Sequence, residues 1–113
     1  MSEEEKPLKV KRVQSVYTLV VEVGRKAGDG LPEKATGAAL MIYASGVDEA
    51  EAVRETVAIL KDADLAVLEV QGLGTLDERR KAGEEIDSAE AALMQRALDE
   101  NSVIVAQLTP FYD

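Results

Sequence analysis

Between residues 13 and 24 the chain reads VQSVYTLVVEVG, with Val13, Tyr17, Leu19, Val21 and Val23 on the odd positions and Thr18 and Glu22 on the even side. Alternation of this period among β-branched residues predicts a strand. RKAGDGLPEKATG follows, with glycine and proline gathered around Gly28-Asp29-Gly30. It predicts a long exposed loop over residues 25–36. AALMIYAS, an unbroken apolar run between Gly37 and Gly46, suits a buried strand better than so short a helix.

From Ser45 the period changes. Ala50, Val53, Val57 and Leu60 recur at spacings of three and four, while Asp48, Glu49, Glu51, Arg54 and Glu55 occupy the other face. An amphipathic helix to about Ala63 is predicted, with Ser45 and Asp48 at capping-box spacing. LAVLEVQG predicts the next strand. IDSAEAALMQRALDEN predicts a second helix, capped by Asp87 or Ser88 with Glu90 completing the box, a core stripe of Leu93, Met94, Ala97 and Leu98, and a stop at Asn101. SVIVAQL predicts a last strand that Thr109-Pro110 terminates.

Strand, loop, strand, helix, strand, linker, helix, strand is an α+β order. The economical arrangement is a two-layer α/β sandwich, a four- to five-stranded sheet with two helices on one face. An extra short strand over residues 73–80 would make residues 37–108 a βαββαβ unit, ferredoxin-like in architecture, with the first strand added. Residues 1–12 read as a charged N-terminal tail and residues 13–113 as a single α/β domain.

Composition narrows the function. The chain has 113 residues, 46% of them hydrophobic, which is enough apolar side chain to order one domain. Its core must be aliphatic, since Phe111, Tyr17, Tyr43 and Tyr112 are its only aromatic residues. A domain of this size gains readily from association, so a homodimer is expected. Net charge is −9; residues 1–12 hold four basic against three acidic residues, leaving 9 basic against 19 acidic from Val13 onward. So acidic a body repels a phosphate backbone, and nucleic-acid binding is not expected. The one basic cluster, Lys6, Lys9, Lys11 and Arg12, reads as a solvated terminus.

Without Cys or His, thiol nucleophiles, serine triads, imidazole acid/base chemistry and the usual zinc sites are excluded. No cofactor is expected. Neither a signal-peptide core nor a membrane-length apolar run is present, so a cytoplasmic location is the expectation and no membrane partner is foreseen.

The stretch EVQGLGTLDERR, residues 69–80, raises the possibility of a phosphate loop. Asp77 stands where a dinucleotide loop needs its third glycine, and no Lys adjoins Gly74 or Thr75 as a Walker loop requires. Thr75 with Glu78 has capping-box spacing, so protein groups fill the anion position and the stretch predicts a corner. Arg79, Arg80 and Lys81 read as a solvated face. The acidic run Glu84, Glu85, Asp87 and Glu90 lacks the spacing of a calcium loop, and no metal site is assigned.

Polar residues within strands carry more. Glu22, Glu69, Gln71 and Gln107 could mark a second sheet face, mixed with Val16, Val20 and Val67. Glu22 and Glu69, if adjacent, are the carboxylate candidates for acid/base catalysis, with Tyr43 at the mouth of the second strand. Arg25, Lys26, Gln71 and Gln107 are candidate ligand contacts. Phe111 and Tyr112, the aromatic pair at the C-terminus, are expected to dock on their own sheet edge or on a partner. The leading expectation is a small homodimeric module that binds a small molecule or a protein without catalysis. The alternative is a small enzyme in which Glu22, Glu69, Tyr43 and the 25–36 loop line a cleft. An acidic body that mimics another partner is a third reading.

Overall fold

The computed structural model describes residues 13–112, so the expected tail and its basic cluster lie outside the described residues. The elements are β1 (Ser15–Val23), β2 (Gly37–Gly46), α1 (Glu49–Asp62), β3 (Val67–Thr75), α2 (Leu76–Lys81), α3 (Ser88–Asp99) and β4 (Val103–Phe111). The four strands form one antiparallel sheet in the order β3-β1-β2-β4. The fold of the described residues is α+β, with three helices.

Two expectations about architecture are corrected. The helices do not share one face. In the β1–β2 register, Leu19 faces Ile42 and Val21 faces Leu40, and these side chains join Ala52 and Leu60 of α1 in one core. The intervening positions point the other way: Thr18 faces Tyr43, and Val16 and Tyr43 join Met94 and Ala97 of α3 in a second core. The physical reason is that both central strands are apolar on both sides, so each face needs its own helix. The ferredoxin-like order also fails. Residues 73–75 extend β3 and Leu76–Lys81 is helical, so no fifth strand forms among the described residues; β1 sits inside the sheet between β3 and β2 instead of being added to it.

Local chemistry places the ends of the elements. Asp48, not Ser45, caps α1, its carboxylate accepting from the Glu51 N–H at 2.8 Å. Ser45 stays in β2 and donates to the Asn101 side chain at 2.9 Å. Ala52, Thr56 and Leu60 form the buried stripe of α1, whereas Ala50 is exposed. Asp87 caps α3, and Asn101 closes it with φ +50°. β4 runs on through Pro110. Because Phe111 turns its carbonyl inward to accept from the Thr36 N–H at 2.7 Å, its neighbour Pro110 faces outward, where the missing N–H breaks no ladder bond.

Residues 25–36 form the exposed loop that the sequence predicts, pinned at a few points. Leu31 and Ala35 are buried. The Asp29 carboxylate accepts from Arg25 Nε at 2.9 Å and from the Lys26 and Leu31 N–H groups at 2.9 and 3.0 Å. Those bonds, that of Arg25 foremost, hold the Asp29 carboxyl far below the usual carboxylate range. Arg25 also donates to the carbonyls of Pro32 and Ala35.

Candidate functional site

Gly72-Leu73-Gly74 lies within β3, where the register with β1 shifts between Thr18 and Leu19, and the corner comes after it, at Thr75. Thr75 ends β3 and caps α2: its hydroxyl accepts from the Glu78 N–H at 3.2 Å while Glu78 accepts from the Thr75 N–H at 2.8 Å. Gly74 has φ +96°, open to glycine and strained for other residues. A side chain thus occupies the place where a phosphate would have to bind.

The sharpest departure from expectation is Arg79. It is 6% exposed, buried between α2, α3 and the sheet rather than solvated. Its Nη1 donates to Thr18 Oγ1 at 2.9 Å and to Glu90 Oε2 at 2.8 Å, and its Nε and Nη2 both reach Glu84 Oε1 at 3.0 Å. Tyr43 donates its hydroxyl to the same Glu90 oxygen at 2.6 Å. One guanidinium fork therefore ties β1, α2 and α3 together, and through Glu90 it reaches β2. Burial, reinforced by the Glu90 carboxylate, raises the Tyr43 phenol above its ordinary value of 10.0. For Glu90 burial acts upward, but the bonds from Tyr43 and Arg79 outweigh it and the carboxyl is lowered. Burial likewise works against the Arg79 charge, and Glu84 and Glu90 more than offset it. Tyr43 is thus held as a neutral donor.

Two acids of the 84–90 run hold Arg79 and a third caps α3. Among the described residues no group of three or more His, Cys, Asp or Glu could hold a metal ion. No helix among them is long and apolar enough to cross a membrane.

The strand polar residues do share a face. Glu22 stands opposite Glu69, Val20 opposite Gln71 and Met41 opposite Gln107, all on the side that carries α3. Val67 is not among them; it pairs with Val23 on the α1 side. α3 covers the Val16–Thr18–Tyr43 end of this face, with Met41, Ile104 and Ala106 at its margin. Beyond it, Val20, Ala39, Met41, Gln107 and Thr109 line a shallow depression, with Glu22 and Glu69 exposed at its β3 side. Tyr43 is not brought to the two carboxylates, since it sits opposite Thr18, two same-face positions along β1 from Glu22. Arg25 is committed to its loop, and Lys26 approaches Asp64 at 4.0 Å. The Phe111 backbone is docked on Gly37 and Thr36 at the sheet edge, whereas Tyr112 is 59% exposed.

A family match covers residues 16–112, which takes in all three helices and nearly the whole sheet. The chain belongs to the family described as a domain of unknown function, DUF8846. No curated protein and no solved structure matches the chain. In this DUF8846 domain, the arginine cluster and the half-covered face are both built from residues inside the matched span.

Proposed function

We propose that this protein is a non-catalytic homodimeric binding module whose subunits meet along β4. The observation that carries the reading is the outer surface of that strand. α1 lies over β1, β2 and β3, and on the same side of the sheet Val105 and Leu108 of β4 are 46% and 42% exposed, with Ile59 of α1 also 45% exposed. Apolar side chains of this size on an edge strand favour a partner surface. A two-fold pairing along β4 would cover them and continue the sheet, with Pro110 limiting how far the edges can pair.

Several features weigh against catalysis. The Tyr43 hydroxyl and the Arg79 donors are spent on protein groups, and Glu22 and Glu69 stand apart from them on an open surface. The half-covered face, with Gln71, Gln107 and the acidic pair, remains as the ligand or protein contact of the module.

Light scattering of the full chain across salt concentration tests the assembly. A salt-resistant mass of two chains, reduced to one by Leu108→Asp with the far-ultraviolet spectrum unchanged, is the expected result. A single-chain mass at every salt and protein concentration would overturn the dimer.

A further inference from the structure

We infer that the cleft between α1 and the link from α3 to β4 binds an organic ammonium group. It lies away from the Arg79 cluster and the half-covered face, and it shares Ile59 with the apolar surface offered for the dimer. Gln14 at the entry to β1, Glu51, Glu55 and Ile59 on one flank of α1, and Ser102 and Val103 at the start of β4 line it.

Two polar atoms of this lining are buried without a hydrogen-bond partner: Gln14 Oε1 and Ser102 Oγ. Buried polar atoms are nearly always paired; Gln14 Oε1 lacks a donor, and the Ser102 hydroxyl is able to accept from the same ligand. Ser45 and Asn101, also in the lining, pair with one another, and the two acids ask for a donor. Glu51 uses one oxygen to accept from the Val47 N–H at 2.9 Å, which leaves its second oxygen as an acceptor, and Glu55 one turn later adds another carboxylate. Carboxylates and an amide oxygen only accept, and an ammonium offers three donors and no acceptor. Ile59 and Val103 supply apolar wall for an alkyl body. The chain's net charge of −9 draws cations toward it.

The ammonium could come from a free alkylamine or from a lysine of the chain itself, because Lys9 and Lys11 precede Gln14 by only a few residues. Backbone amide spectra of the full chain, titrated with n-butylammonium and separately with n-butanol, test the site. Expected are saturable shifts at Ile59, Ser102 and Val103 with the amine, about tenfold weaker binding in Glu55→Gln, and a similar deficit for the alcohol. A wild type that stays silent while the Lys9→Gln, Lys11→Gln double variant binds the amine would assign the cleft to the chain's own lysine. Absence of saturable shifts in both proteins, equal binding of the alcohol, or an unaffected Glu55→Gln would each overturn the inference.

Discussion

Glu22 and Glu69 face one another directly across β1 and β3. Both are exposed on the part of the sheet that α3 leaves open, and neither has an ion-pair partner among the described residues. Like charges at directly opposed positions oppose pairing by roughly 0.2–1 kcal/mol. Glu69→Lys turns the repulsion into attraction, so the urea midpoint is expected to rise by an equivalent of about 0.5 kcal/mol at low salt, and the gain to shrink as salt screens it. An unchanged midpoint at low salt would mean that the two carboxylates already avoid each other.

Arg79 is the polar keystone of the α3 side. Its removal strands Glu84, Glu90 and Thr18 at once, so Arg79→Ala is expected to cost about 3–5 kcal/mol. Arg79→Lys should recover only part, because an ammonium cannot reproduce the fork. Arg80→Ala, one residue along on an exposed position, should stay within about 0.5 kcal/mol. Equal midpoints for the two alanine variants in equilibrium unfolding would refute this role.

The same cluster sets limits at both ends of the pH scale. Glu90 is lowered from 4.5 in the folded state, so its contribution is complete above that value and is lost as pH falls through the folded-state value. Tyr43 is raised above 10.0, so its contribution is complete below that value and fades as pH rises toward the folded-state one. Melting temperature should therefore decline on an acid limb that Glu90→Gln flattens and on an alkaline limb that Tyr43→Phe flattens. If both variants keep the wild-type profile, other groups set those limits.

Two glycines that look alike in sequence should respond differently to alanine. A Cβ at Gly37 would lie 2.5 Å from the Val23 carbonyl oxygen, which belongs to the neighbouring strand and cannot step aside. A Cβ at Gly72 would meet the end of the Glu49 side chain, which can rotate away. Gly37→Ala is expected to cost about 1–3 kcal/mol by overpacking and Gly72→Ala clearly less. Thermal unfolding of the pair decides; the reverse ranking would sink the explanation.

What could be read from the chain alone was what depends on near neighbours. The Thr75–Glu78 box, the Asp87 cap and the Asn101 stop are set within a few residues and appear where spacing places them. Arg79 was illegible because its partner Thr18 lies 61 residues away; in sequence it is one of three consecutive cations beside acids. A signal was nonetheless present. AALMIYAS is apolar at successive positions, and VVEVG is nearly so, which marks strands buried from both sides and calls for helices on both faces. Period two in β1 places Val16 and Thr18 on a second face without naming a helix for it, yet both are buried there. Pro110 misled for a similar reason. It terminates an inner strand but is tolerated on an edge, and edge position is a property of the sheet.

Because β1 and β2 divide two cores, successive residues along them belong to different compartments. Leu19 lies in an aliphatic one and Thr18 in one that holds a guanidinium. An insertion or deletion of a single residue within β1 would therefore not merely expose apolar side chains. It would exchange the contents of the two rooms, sending leucine toward the charge and threonine into the oil. Length along these strands is thus guarded twice over, and natural variation in this domain should come as substitutions within the strands and as gained or lost residues in the connections between them.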